Sequence, residues 1–249
     1  MSVNLYDLIN NTIIVGEETQ NNSSNWWNSS SNGKTRVMLC GTYPIGTSNG
    51  YSKVVYYIAK YLGEYKDIAL TIYGFQNISN TNGKHMRNNI PSNVVLYDAL
   101  ANENPKRSGF GENEIGNYIK NNPQDIIIIF NDNLITTALT NNILKECGEQ
   151  RDKFKLISYM DQVYPYQKKS YIEFLNNNFD AIIAFTPYWK DIARKLGIKE
   201  SIPIYTFPHG FDTSMYYPIP KDIARTYYKY DNNDFMVLNL NRNQPRKCW

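Results

Sequence analysis

The chain has 249 residues, 42% of them hydrophobic and 20% charged, with 26 Lys and Arg against 23 Asp and Glu and a formal charge of +3. A chain of this length and apolar content can bury a large core, which excludes wholesale disorder. The near-neutral balance excludes recognition of nucleic acid by bulk charge, because that requires a concentrated basic face.

Three widely spaced cysteines, Cys40, Cys147 and Cys248, and two histidines, His85 and His209, exclude a disulfide scaffold and a closed zinc site. No run approaches the roughly 20 apolar residues that cross a bilayer, so no transmembrane segment is expected. Asp7, Asn10 and Asn11 interrupt the apolar start where the core of a secretory signal would lie. The expectation is a soluble protein of a reducing compartment, the cytoplasm.

Residues 1–34 end in an Asn/Ser/Trp stretch, Gln20 to Asn32, too poor in periodic apolar residues to repay the entropy of ordering. They are predicted to be a leader that is mobile or loosely docked. From Thr35 onward, short β-branched runs alternate with longer amphipathic segments, the pattern of a parallel sheet covered by helices. Strands are predicted at Arg36 to Gly41, Ile68 to Tyr73, Val94 to Tyr97, Asp125 to Phe130, Lys155 to Met160, Ala181 to Phe185 and Ile202 to Phe207. Helices are predicted at Tyr51 to Leu62, Glu112 to Asn121, Leu134 to Cys147, Gln167 to Asn177 and Tyr188 to Leu196. The consecutive apolar run Ile126-Ile127-Ile128-Ile129 reads as a strand buried on both faces, in mid-sheet.

This pattern makes the fold class α/β, a Rossmann-like, doubly wound, mostly parallel sheet over residues 35–212. Residues 213–249 read as a linker, a tail dangling from about Pro218, and the first strand, Phe235 to Leu240, of an incomplete second domain. Between Phe75 and Pro91 lies an Asn/Ser/Gly-rich loop that ends in Lys84, His85 and Arg87, long enough to suggest function.

Three motifs could carry chemistry. In the turn Gly41 to Gly50, Gly46 and Gly50 let a ligand approach the backbone, and the amides opening the next helix favour an anion. Ser48 and Asn49 belong to the same turn. It is neither G-x-G-x-x-G nor a P-loop, and a plain strand-to-helix turn explains it equally well. Pro208-His209-Gly210-Phe211-Asp212 comes directly after the last strand; Gly210 permits a sharp reversal, and Asp212 can cap the next segment. Asn241 to Lys247 brings Arg242 and Lys247 to a strand end, a fork and a point charge suited to a diphosphate.

These motifs, with Ala184-Phe185-Thr186-Pro187-Tyr188-Trp189-Lys190-Asp191-Ile192-Ala193-Arg194-Lys195-Leu196-Gly197 between the first and second, come in an order that resembles the N-terminal half of a retaining GT-B glycosyltransferase of the group 1 (family 4) class. The resemblance spans roughly Thr35 to Lys247. It implies two Rossmann-like domains facing across a cleft, with a glycan or other hydroxyl acceptor on the first and a nucleotide-sugar donor mainly on the second. Carried over, Gly46, Ser48, Asn49 and Gly50 line the donor-phosphate side, Arg242 and Lys247 hold the diphosphate, and His209, Gly210 and Asp212 belong to an interdomain hinge. Fixed cations and amides would stabilise the departing nucleoside diphosphate, so neither a metal nor another cofactor is expected.

Two departures from the family pattern stand out. The turn after the fifth strand reads Tyr159-Met160-Asp161-Gln162, where many members carry a histidine. Asp161 is the nearest polar substitute, either a catalytic group beside the sugar and acceptor or a helix cap. The family's carboxylate pair and nucleotide pocket would fall beyond Trp249, so the expectation is an enzyme that needs a complementary C-terminal domain, supplied by a separate chain. The alternatives are a non-catalytic glycan- or nucleotide-binding remnant, and an unrelated flavodoxin-like or NAD-binding domain.

Overall fold

A computed structural model describes residues 4–14, 33–45, 49–78, 87, 89–104, 108–160, 165–210, 212–214, 216–231 and 233–239. It divides into two units, Met1–His209 and Gly210–Trp249. The first carries seven strands: β1 (Thr35–Thr42), β2 (Ile68–Phe75), β3 (Val95–Asp98), β4 (Ile126–Asn131), β5 (Lys155–Met160), β6 (Ala181–Ala184) and β7 (Ile204–Thr206). They form one sheet in the order β3-β2-β1-β4-β5-β6-β7, every pair parallel. This is the Rossmann-like doubly wound sheet expected from the alternation of short apolar runs and amphipathic segments.

Seven α-helices belong to this unit among the described residues: α1 (Leu5–Ile14), α2 (Gly50–Leu62), α3 (Ala99–Asn102), α4 (Ile115–Asn121), α5 (Asn133–Cys147), α6 (Lys169–Asn178) and α7 (Pro187–Lys195). One face of the sheet packs Met38, Cys40, Ile127, Ile129, Leu156 and Ile182 against residues of α3 to α7. The other packs Val37, Leu39, Ile126, Ile128, Ile157 and Ile183 with residues of α1 and α2. Alternate residues of Ile126 to Ile129 therefore serve the two cores, and none is more than 1% exposed. Burying each such side chain contributes about 1.5–3 kcal/mol.

Polar ties fix the N-terminal edge of the sheet. The Asp125 carboxylate accepts from the Arg36 guanidinium at 2.6 Å and from the Arg36 backbone N–H at 2.7 Å, joining β1 to β4 where they start. Asp180 does the same between β5 and β6, accepting from Arg151 Nη2 and from the Leu156 N–H, each at 2.7 Å.

Three expectations are corrected by the fold. Leu5–Ile14, placed in a leader expected to be mobile or loosely docked, is a helix whose Leu5, Leu8 and Ile9 are buried in the second core. Their i, i+3, i+4 spacing makes one apolar helix face, and the Tyr6 hydroxyl donates to Asp67 at 2.5 Å while its ring stacks on Tyr65. The rest of the leader lies outside the described residues, apart from Asn4, Gly33 and Lys34.

In the second unit no strand forms over residues 234–239, contrary to the strand expected at Phe235 to Leu240; Leu240 itself lies outside the described residues. A strand needs a ladder partner, and β-propensity alone does not supply one. Phe235 and Val237 are 94% and 83% exposed. The tail expected to dangle from about Pro218 instead contains α8 (Lys221–Tyr228), closed by the left-handed Lys229. The buried Arg225 guanidinium donates to the carbonyls of Asp231 and Asp234, folding the following turn back on the helix.

Candidate functional site

The strand order reverses between β1 and β4: β1 leads outward to β2 and β3, and β4 leads the other way. Connections leave these neighbours in opposite directions, opening a crevice beyond their C-terminal ends. Each side of that crevice has its own chemistry.

On the β1 side, the Tyr43 N–H extends the ladder by donating to the Phe75 carbonyl at 2.9 Å. The Tyr43 ring covers β2 where Gly74 leaves room for it, since a Cβ there would sit 2.4 Å from Tyr43 Cδ2. Burial, with Asp98 nearby, raises the Tyr43 hydroxyl above the ordinary tyrosine range. Asn49 caps α2: its side chain accepts from the Ser52 N–H at 2.8 Å, and Ser52 Oγ accepts from the Asn49 N–H at 3.2 Å. This reciprocal box satisfies two of the donors that a helix start leaves open. Gly41 lets α2 cross close to β1, because a Cβ there would meet Val55 Cγ2 at 2.6 Å.

Arg87, at the end of the long loop, donates from Nη1 to the buried Ser52 Oγ at 2.8 Å. A guanidinium therefore stands in the first turn of α2, where the helix dipole is already positive. Cations are disfavoured at that end of a helix, and anions favoured. The pairing suits a phosphate, which an Arg fork and helix amides bind together.

The β4 side is aromatic. Phe130 near the end of β4, Tyr159 near the end of β5 and Phe185 after β6 form a floor on which the His209 ring rests. Its centroid is 4.9 Å from Phe185, nearly parallel, and 5.6 Å and 5.8 Å from Phe130 and Tyr159, edge to face. Tyr159 Oη donates to the Phe207 carbonyl at 3.2 Å, holding the segment that delivers His209. Asp132 caps α5 by accepting from Leu134 and Ile135 N–H groups at 3.0 Å and 3.2 Å, and Asn133 Nδ2 donates to Gln167 Oε1 at 2.7 Å, tying the start of α5 to the segment before α6.

Of the residues singled out from sequence, Asn49 and Gly50 stand at the capped start of α2 and His209 rests on the aromatic floor. Tyr51, in the first turn of α2, lies 5.3 Å from Phe130, and Phe130 in turn lies against His209. Asp212 Oδ1 accepts from the Ser214 N–H and hydroxyl at 2.9 Å and 2.5 Å, forming a local turn. Among the described residues beyond its chain neighbours, none lies within 4 Å of where a Gly210 Cβ would be. Gly46, Ser48, Asp161, Arg242 and Lys247 lie outside the described residues. Ser52 and Arg87 were not among the candidate site residues; the basic end of the loop was the one signal pointing to Arg87.

Among the described residues, no group of three or more His, Cys, Asp or Glu could hold a metal ion, and no helix is long and apolar enough to cross a membrane. A concavity of about 410 Å³ lined by Lys120, Glu146, Glu149 and Gln150 lies at the end of α5, which returns to the opposite edge of the sheet from the crevice. Its Lys120 and Glu146 pair with each other at 2.6 Å.

These features define a Rossmann-like domain with a switch-point crevice. No protein-family model matches the chain, and no curated protein matches it. Solved structures of Anabaena Alr3699/HepE are similar over 78% of this chain: the complex with UDP and glucose at 11% identity and a TM-score of 0.46, and the complexes with UDP-glucose and with UDP at 12% and 0.45. The chain spans about half the length of those proteins, 49–50%. At this distance no residue role passes from them to this chain.

Proposed function

We propose that the chain is the acceptor-side part of a glycosyltransferase that moves a hexosyl group from a nucleotide-diphosphate sugar to a hydroxyl acceptor, with retention of configuration. One observation carries the reading: the Arg87 guanidinium and the capped start of α2 meet at Ser52, on the edge of the switch-point crevice. Negative charge grows on the departing nucleoside diphosphate, and fixed cations and amides that await it lower the barrier. Gly46, Ser48, Asn49 and Gly50 serve one side of that group in this reading, and Arg242 and Lys247 grip the other. Asp161 is the polar group beside the transferred sugar, and His209, Gly210 and Asp212 lie in the segment joining the two halves. A complementary nucleotide-binding domain, on this polypeptide or a separate one, completes the donor site.

Saturation-transfer NMR on the 249-residue chain with a panel of UDP-, GDP- and ADP-sugars tests this. The reading expects signal from the diphosphate-linked portion of at least one sugar nucleotide, displaced by the matching nucleoside diphosphate. No signal from any of them, or binding of NAD or flavin in their place, would overturn it.

A further inference from the structure

We propose that His209 is a ring latch that fastens the last residues of the first unit to the C-terminal edge of the sheet and so sets where the chain becomes free to swing. Its imidazole lies nearly flat on Phe185, at an interplanar angle of 20°, and meets Phe130 and Tyr159 edge-on at 87° and 65°. Those three rings come from the C-terminal ends of β4 and β5 and from the residue directly after β6, three neighbouring strands of the sheet. The ring seated on them belongs to an exposed residue outside the strands. Edge-to-face and offset aromatic packing holds such a ring in a defined orientation while leaving it able to withdraw.

Chain order adds the second half of the argument. His209 is the last residue of the first unit and Gly210 the first of the second, and among the described residues other than its chain neighbours no atom lies within 4 Å of the position a Cβ would take. Just upstream, the Phe207 N–H donates to the Ala184 carbonyl at 2.9 Å and the Phe207 carbonyl accepts from Tyr159 Oη. Anchoring thus runs through β7 and Phe207 to His209 and then gives way to Gly210. With the latch seated, rotation about the junction begins at Gly210; with it released, the free segment lengthens back to Phe207. The device does not depend on what the crevice binds.

Hydrogen exchange by mass spectrometry on the full chain tests it, comparing wild type with His209→Ala and His209→Phe. In His209→Ala, peptides spanning 205–214 should exchange roughly tenfold faster, while β4, β5 and β6 peptides keep their wild-type rates, as expected for a local opening. His209→Phe, which keeps a ring for the seat, should return the 205–214 peptides close to wild type. Unchanged exchange in His209→Ala would overturn the latch. So would acceleration spread equally through β4 to β6, which would make His209 ordinary packing, or a His209→Phe variant as fast as His209→Ala.

Discussion

Arg87 Nη1 lies 2.8 Å from Ser52 Oγ, so a guanidinium contributed by the long loop reaches the first turn of α2 from 35 residues away. This places a cation where the α2 macrodipole repels it. Without an anion, Arg87→Ala should leave the thermal midpoint unchanged or raise it slightly. Differential scanning calorimetry in a phosphate-free buffer checks the sign, and a clear fall in midpoint would mean that Arg87 serves the fold.

Gly74→Ala should destabilise the chain. The new methyl would press on the Tyr43 ring and come within 3.2 Å of Tyr43 Cα, so the turn after β1 would have to lift. Overpacking of this kind costs about 1–3 kcal/mol. Urea unfolding should show that loss as a lower midpoint with unchanged slope.

Ile9→Ala should cost about 2–4 kcal/mol, because Ile9 is fully buried and its truncation leaves a cavity against the sheet. Chemical denaturation measures it. A cost near zero would return Leu5–Ile14 to the status of a loose leader.

The Lys120 and Glu146 pair gives a signed pH dependence. Its hydrogen bond to Lys120 holds the Glu146 carboxyl below the ordinary carboxylate range, and the same bond raises Lys120 above the ordinary lysine range. The Glu146 contribution is therefore present above the unfolded carboxylate pKa and lost as pH falls through the lower folded value. The Lys120 contribution is present below the unfolded lysine pKa and lost as pH rises through the higher folded value. The stability gap between wild type and Glu146→Gln should be flat from about pH 6 to 9 and close below about pH 4. Urea midpoints across that range test this; a gap that persists at about pH 2, below the ordinary carboxylate range, would show another origin.

Sheet and helices were legible in the sequence because their signals are local. Four isoleucines in a row, Ile126 to Ile129, announce a strand with two buried faces, and Lys155 to Met160 begins and ends as expected. Helix α1 is hard to read because Asp7 and Asn10 break its apolar run, although Leu5, Leu8 and Ile9 have helical spacing. The strand expected at Phe235 to Leu240 failed in the opposite sense over its described residues: an apolar run states a preference for a sheet without providing neighbours to pair with. Asn49 and Gly50 were legible as a helix start, whose cap chemistry is confined to Asn49 through Ser52. The contact between Arg87 and Ser52 was not, because it joins residues 35 apart in the chain and no local pattern marks it. Nor could the sequence show that Phe130, Tyr159 and Phe185 converge under His209, since only the β4-β5-β6 neighbour order brings them together.

The most direct measurement is isothermal titration of UDP into the wild-type chain and into Arg87→Ala at the same salt. A charge-assisted phosphate contact is worth about 1.5–3 kcal/mol, so Arg87→Ala should bind UDP about 10- to 100-fold more weakly, with Arg87→Lys in between. Equal affinity in wild type and Arg87→Ala, or no detectable binding by the wild-type chain, would contradict a phosphate site at the start of α2.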